Sequence, residues 1–453
     1  MKELTLLKLA QVIEGKLYPE RDGDQIVTGV SIDSRRIKPG DIFFAIKGLK
    51  FDGSSFITDA VRNGASCVIL DSFPSIEINA PFIIVDNVVD SLGRLARFLR
   101  DILPAKLIGI TGSLGKSTTK ELVGRVLKGK YRTVVAEKSF NNFIGLPLTI
   151  LRAISDTEYI VEELGINHKD EMDSLLEIAK PDYGMITGIA PVHTEGLGNI
   201  DEIDKEKLKL LYSLPPGSKA FLNGDDPYLT NLSQVPYCSV IYYGKSQNCD
   251  IRGEIISSSW DGLDFKIDGN EFKLPLIGRF WIYSALATFA IARSFGIDIQ
   301  TIADIFSSFQ GLPGRMEVKK VGGVIIIDDS YNANPTSVSR VLSTISELPS
   351  KRKFVFLGDM LELGYQSSNA HRKIGKEIVD YGFNFAAFLG ENTSVAYQEA
   401  KQAGLGFGNH FLGMEEVLDE IEKMEFLEGD VILVKGSRAM QMEKIVHKIL
   451  EVL

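Results

Sequence analysis

Cysteine is scarce. The 453 residues carry three, Cys67, Cys238 and Cys249, scattered and without CxxC spacing. An odd, dispersed set excludes a disulfide framework and a cysteine zinc site, and a reducing compartment is its simplest setting. No run of ~18 apolar residues occurs, so no membrane-spanning segment is expected. The opening residues, MKELTLLKLAQVIEG, interleave Lys and Glu along an amphipathic helix where a signal peptide would show a basic stretch and an unbroken apolar core. A cytoplasmic location follows as the expectation. Positive charge is in deficit, with Lys+Arg 50 against Asp+Glu 60 and a net charge of -10. Neither a nucleic-acid backbone nor an anionic membrane is therefore expected as the main partner. Low-complexity tracts, long charge blocks and fixed-period repeats are also missing, which removes solenoid and tail-driven architectures.

What is present points to a large α/β protein. Hydrophobic content is 44%, ordinary for full cores, and at ~150 residues per domain the length suggests about three domains. Residues 1–80 alternate short apolar runs (GDIFFAI, ASCVIL) with helical stretches, as a small α/β unit would. The stretch VVDSLGRLARFLRDIL has apolar residues at helical spacing and stops before Pro104. From Lys106 onward, apolar runs alternate with Gly-rich turns and helices, which predicts a central parallel sheet of P-loop type with helices on both faces. A break at Gly311-Leu312-Pro313-Gly314 precedes four more apolar runs, GVIIIDD, KFVFLGD, FAAFLG and DVILVKG, read as a C-terminal Rossmann-like open sheet. The expected domains are 1–104, 105–312 and 313–453. In open parallel sheets the ligand crevice lies at the carboxyl ends of the strands, where these runs place Gly and Asp.

The strongest chemical signal is Thr111-Gly112-Ser113-Leu114-Gly115-Lys116-Ser117-Thr118, between a predicted strand Leu107–Ile110 and a helix beginning at Ser117. A strand, a Gly-rich loop and a helix N-terminus together aim backbone N–H groups and a dipole at one point, where a polyphosphate binds. Lys116 would reach the β/γ-phosphates and the Ser117 hydroxyl would ligand Mg²⁺. The strict G-x-x-x-x-G-K-[ST] spacing is not met, because Ile110 stands five residues before Gly115. A plain Gly turn capped by Ser113 is the bland alternative, and it leaves the Lys and the hydroxyl in that strand–helix context unexplained.

Glu163 ends the run YIVEELG and His193 follows MITGIAPV, so both can sit at carboxyl ends of strands beside the loop. A carboxylate and an imidazole there could hold a second Mg²⁺, although this hard cation prefers oxygen. His193 is equally readable as a hydrogen-bonded turn residue, and Lys207 as a solvated helix residue beside Lys205 and Lys209. In the last domain, Asp328-Asp329-Ser330-Tyr331-Asn332-Ala333-Asn334-Pro335 closes a strand. It is either a ligand-facing polar cluster or an Asx-rich turn ended by Pro335. Arg315, just past the Gly-Leu-Pro-Gly break, is placed to reach phosphate from a hinge or is an ordinary surface Arg.

Taken together these residues resemble the Mur ligase family, the ATP-dependent amide ligases of cell-wall peptide assembly, along nearly the whole chain. Asp33-Ser34-Arg35, PGDIFFAIKG and Asp52-Gly53 look like the family's UDP-sugar module, and TGSLGKSTTKE is similar to its phosphate loop. SFNNFIGLPLTIL resembles a segment characteristic of one member. DDSYNANP, LGDMLELG with His371 downstream, and KGSR are similar to ATP and dipeptide segments. The resemblance implies ATP and Mg²⁺, with a UDP-linked muramoyl peptide and D-alanyl-D-alanine as small-molecule partners, and a monomeric enzyme. It implies Mg²⁺ ligation by Ser117, Glu163 and His193, and carbamylation of Lys207, which turns a cation into a metal-bridging anion. It places Asn141 and Asn142 near the γ-phosphate, and Arg315, Asp329 and Asn332 at the nucleotide. Ser34, Arg35, Asp52, Lys435, Ser437 and Arg438 fall to the substrates.

Three departures stand out. Phe280-Trp281 and Ser284 occupy the places where the family shows His-Asn and a further Asn that recognises adenine, so Trp281 is either a stacking surface or core filler. Ser117 replaces the usual Thr and keeps the hydroxyl. Asp170 stands where Gly is common.

Such a site supports one reaction class well. A carboxylate does not condense with an amine at neutral pH because oxide is a prohibitive leaving group, and phosphorylation of the carboxylate solves this. An amine then attacks the acyl phosphate, and a tetrahedral intermediate collapses to amide and phosphate, with Lys116 and Mg²⁺ stabilising the developing charge. A paralogous ligase with another acid and amine is the second reading. A nucleotide-binding scaffold without ligation is the third, and the co-occurrence of Lys116, Glu163, His193, Lys207 and Arg315 speaks against it.

Overall fold

Three large sheets carry the chain, each raised on apolar runs too short to be helices and bounded by Gly or Asp. The computed structural model describes residues 1–453 apart from 49–50, 231 and 233–236. The N-terminal sheet has five strands in the order Lys16–Tyr18, Phe82–Ile84, Cys67–Leu70, Asp41–Phe44 and Gly29–Ser31. Its pairings are parallel except the first.

In the central sheet, Ser239–Gly244, Lys219–Asn223, Tyr183–Ile186, Lys106–Thr111, Tyr159–Glu163 and Thr133–Val135 lie side by side in parallel. The inner strands Tyr183–Ile186, Lys106–Thr111 and Tyr159–Glu163 are buried on both faces, which explains why their sequences are largely apolar. Three further strands, Ile251–Ser259, Gly262–Ile267 and Asn270–Leu274, extend the sheet as an antiparallel meander. This extension goes beyond the expected parallel sheet. Its last turn is Asp268-Gly269, both at positive φ and flanked by the pair Ile267 and Asn270, which is the two-residue hairpin geometry that Asp-Gly favours.

The C-terminal sheet runs Glu317–Val321, Val324–Asp329, Asp430–Lys435, Arg352–Gly358, Phe385–Leu389, Phe407–Phe411, parallel except for its first pair.

The helix Val88–Ile102 is capped by Asn87 and joins the first two sheets. Near its end the buried Arg100 donates to the carbonyls of Ala179, Ala105 and Lys180 and to Asp182 Oδ2 at 2.6 Å. A guanidinium bonded through all three of its nitrogens in this way fixes one helix against the next domain. Contacts to the C-terminal sheet lie at two places. Trp260, at the tip of the meander, donates its indole N–H to the Pro349 carbonyl at 2.9 Å, and Arg279 meets Glu347 at 3.2 Å. On the other side the Ser139 and Tyr331 hydroxyls share a hydrogen bond, and Thr194 donates to the Leu363 carbonyl at 3.0 Å. Among the described residues no helix is long and apolar enough to cross a membrane.

Candidate active site

The phosphate-loop sequence lies where the strand Lys106–Thr111 ends and the helix Lys116–Lys128 begins. Two glycines make the turn possible. Gly112 has φ 140°, and a Cβ there would stand 2.1 Å from Thr187 Oγ1. Gly115 has φ 77° and precedes the helix without a side-chain cap, which leaves the first-turn N–H groups for a ligand. Thr111 donates to the Leu164 carbonyl at 2.9 Å, and the Ser113 hydroxyl both donates to and accepts from the backbone of Ala190. These bonds tie the loop to the ends of both neighbouring strands. Lys116 Nζ donates to the Gly112 carbonyl at 2.7 Å, folded back over its own loop. Burial lowers its pKa, with Arg315 adding to the effect and Glu163 opposing it. Thr118 is buried in the first turn.

Glu163 ends the strand Tyr159–Glu163 beside the loop. Its Oε2 accepts from Ser117 Oγ at 2.7 Å and its Oε1 from Asn141 Nδ2 at 3.0 Å. Asn142 spends its carbonyl on the N–H groups of Ile144 and Gly145, opening the helix Gly145–Ile150. His193 has φ 53° and its Nδ1 meets Glu362 of the C-terminal sheet's loop, so this imidazole bridges two domains. That contact holds Glu362 below the usual carboxylate range. Lys207 is 1% exposed, whereas the Lys205 side chain is 70% exposed and Lys209 pairs with Asp170, Asp173 and Glu206. Lys207 is therefore not a solvated helix residue. Burial holds it well below the ordinary lysine value; nearby Lys116 adds to this and Glu206 opposes it.

From the C-terminal side, Arg315 stacks its guanidinium 4.1 Å from the centre of the Tyr331 ring. Lys435 Nζ donates to Asp329 Oδ2 at 2.6 Å and to the Asn332 carbonyl at 2.8 Å. Burial raises the Asp329 pKa, and Lys435 opposes that most strongly. Ser437 accepts from the Leu361 N–H at 2.9 Å, and Arg438 is held bidentately by Glu443. His371 is fully buried and accepts the Met360 N–H at Nε2, which makes it a support of the loop carrying Leu361 and Glu362.

These groups surround one cavity of about 830 Å³. It brings together the loop residues 113–119, Asn141, Asn142, Glu163, His193, Arg315, Asp329, Asn332, Lys435, Ser437 and Arg438. Ser34, Arg35 and Asp52 lie outside it, in the N-terminal sheet's loops. Arg35 is held by Asp33, and Asp52 caps the turn Gly53–Phe56. Lys207 does not line the cavity either.

Ser284 accepts from Thr119 at 3.0 Å, and Trp281 is 7% exposed with a buried, unpartnered Nε1 among the described residues. Trp281 thus packs as core while one side borders the cavity. Tyr331, Glu362 and Lys120 lie inside motifs quoted from the sequence but were given no role there, and Asp226, whose signal is the acidic pair NGDD closing a strand, was not singled out.

Among the described residues no three His, Cys, Asp or Glu side chains cluster for a metal. The Ser117–Glu163 pair does offer hard oxygens at the loop, the donor type Mg²⁺ takes together with substrate phosphates.

Three family profiles match the chain: "Mur ligase family, catalytic domain" over residues 26–102, "Mur ligase middle domain" over 110–292 and "Mur ligase, glutamate ligase domain" over 314–438. The UDP-N-acetylmuramoyl-tripeptide–D-alanyl-D-alanine ligase of Bacillus subtilis (strain 168) is 32% identical, covering 100% of this chain and 99% of that protein. Its counterpart in Escherichia coli (strain K12) is 29% identical with the same coverage. A crystal structure of MurF from Acinetobacter baumannii superposes with a TM-score of 0.88 at 25% identity, covering 100% of this chain and 99% of that one. MurF ligase from Thermotoga maritima in complex with ADP gives 0.77 at 26% identity, covering 94% and 98%.

Proposed function

The chain belongs to the Mur ligase family, and we propose that it is the ATP-dependent ligase that joins D-alanyl-D-alanine to UDP-N-acetylmuramoyl-tripeptide in peptidoglycan precursor synthesis. The observation that carries this reading is the single cavity in which the phosphate loop and Glu163 of the central sheet face Arg315, Asp329 and Lys435 of the C-terminal sheet. A ligase needs phosphate, acid and amine in one water-poor place, and a cleft between domains supplies it.

Bound Mg²⁺ would neutralise phosphate charge at Ser117 and Glu163. The backbone N–H groups of the loop and Lys116 orient the transferred phosphoryl group and spread its charge. Arg315 and Asp329 hold the other side of the nucleotide, with Asn332 beside them, and Lys435, bonded to Asp329, stands on the substrate side of that pair. His193, Asn141 and Asn142 complete the reacting end. Burial changes the chemistry open to Lys207: a neutral amine attacks CO₂, forming an N–C bond and releasing one proton, whereas an ammonium does not. A carbamate there would bring anionic oxygens toward the metal. Ser34, Arg35 and Asp52 fall to the UDP end of a long substrate, and Ser437 and Arg438 to the amine.

The functional units on this reading are residues 1–104, 105–312 and 313–453, in a cytoplasmic monomer. The test is ADP release measured with both substrates, each alone, and each replaced by an analogue. Release that requires the UDP-linked tripeptide and D-alanyl-D-alanine together supports the reading. Release with another acid–amine pair instead moves the chain to a paralogous ligase.

A further inference from the structure

One turn beyond Lys116 on the same helix stands a buried lysine. Lys120 is 2% exposed, yet it does not line the cavity that Lys116 lines. Its ammonium donates to the Ala136 carbonyl at 2.5 Å and to the Lys138 carbonyl at 2.8 Å. Lys138 has φ 46°, a left-handed conformation that a side-chain-bearing residue adopts only when its surroundings impose it. Beyond it come Ser139, which meets Tyr331 across the domain boundary, and Asn141, which holds Glu163. Glu162, next to Glu163 in the chain, is 0% exposed, and neither of its carboxyl oxygens has a hydrogen-bond partner among the described residues. The lysine's recorded hydrogen bonds thus go to the loop backbone and not to that carboxyl group.

The geometry points to Lys120 as a positioning residue: it clamps the 136–142 loop to the phosphate-loop helix, and so sets Asn141 against Glu163 and Ser139 against Tyr331. An ammonium suits the task because its three donors can satisfy two carbonyls that diverge from a strained turn. The competing role, a second cation for the nucleotide phosphates, conflicts with its place outside the cavity. The inference rests on the reading of Glu163 and Asn141 as parts of the reacting site, but its test does not use the reaction.

Backbone hydrogen exchange is measured on the full chain without nucleotide, acid or amine, for the parent, Lys120→Met and Lys120→Gln. Loss of a charged hydrogen-bond donor predicts exchange at residues 136–142 at least about tenfold faster in Lys120→Met. The central strands stay unchanged. Gln keeps a neutral donor, so Lys120→Gln falls between the two. ADP affinity, measured by calorimetry, stays within about threefold of the parent in both variants, as expected for a side chain that does not touch phosphate. Parent-like exchange at 136–142 in the folded variants overturns the clamp. An equal, large loss of ADP affinity in both variants also overturns it, because that is the signature of a phosphate-binding charge. If Lys120→Met does not fold, Lys120→Gln carries both readings alone. A failed ligation assay leaves the exchange result standing, and an unchanged loop leaves the ligase reading standing.

Discussion

The Ser117 hydroxyl lies 2.7 Å from Glu163 Oε2, although the two residues are 46 positions apart in the chain. The pairing exists because the strand ending at Glu163 runs parallel to the strand that feeds the loop, with Glu163 in register with Ile110. Parallel register thus delivers a hydroxyl and a carboxylate to the same end of the sheet, where open α/β folds bind ligands.

On the proposed reading Lys116, folded over its own loop, is the cation that meets the transferred phosphate. Lys116→Ala should reduce turnover at least ~10²-fold, the size of a lost electrostatic stabiliser, without unfolding the protein. Turnover close to the parent's, in a variant with an unchanged melting temperature, would sink the phosphate-loop assignment.

Lys207 and its helix neighbours should separate cleanly. Lys207→Ala is expected to be nearly inactive, and short carboxylates such as acetate or formate should restore some turnover by supplying anionic oxygens in the vacated space. Lys205→Ala and Lys209→Ala should remain active, since one is solvated and the other is paired at the helix surface. Full activity in Lys207→Ala defeats the carbamate assignment.

The base end of the nucleotide should be read loosely. Ser284 is engaged with Thr119 and the Trp281 N–H is buried, so neither presents the amide edge that distinguishes adenine. Loss of a polar base contact predicts discrimination between ATP and GTP weakened by ~1–2 kcal/mol relative to an Asn-bearing pocket. Steady-state kinetics with the two nucleotides decide it, and a strong preference for ATP would show that other groups read the base.

Asp204 should make the protein less stable at neutral pH than at mildly acid pH. Burial, with Asp226 and Asp201 nearby, pushes its pKa up to about 6, above the unfolded value of about 3.9. Between those values the folded state keeps a proton that the unfolded chain has released, so this group's contribution falls as pH rises through the window. Asp204→Asn should therefore raise the melting temperature at pH 7.5 and change it little at pH 4. An unchanged melting temperature at pH 7.5 contradicts the assignment.

How much of this was legible in the sequence depends on where each constraint lives. The phosphate loop could be read because strand, glycines and helix are contiguous, and the order of apolar runs carried the α/β sheets. The meander was passed over, although Asp268-Gly269 marks its hairpin, because half-exposed strands such as IRGEIISSS alternate weakly. The burial of Lys207 had a signal too: Ile203, Lys207, Leu210 and Leu211 share one helical face, and all four are buried. The Ser139–Tyr331 and His193–Glu362 contacts had none, since they join segments more than 160 positions apart through a docking of domains that no local pattern encodes. Local physics wrote the elements, and long-range packing wrote the cleft.

The chain has two tryptophans, and both stand where the central and C-terminal sheets meet. Trp260 reaches across to Pro349, and Trp281 borders the cleft from the core. The protein therefore carries a built-in optical gauge at the boundary between these two sheets. With Trp281→Phe, all indole emission comes from Trp260, and any separation of the two sheets is reported as a spectral change at a single bond.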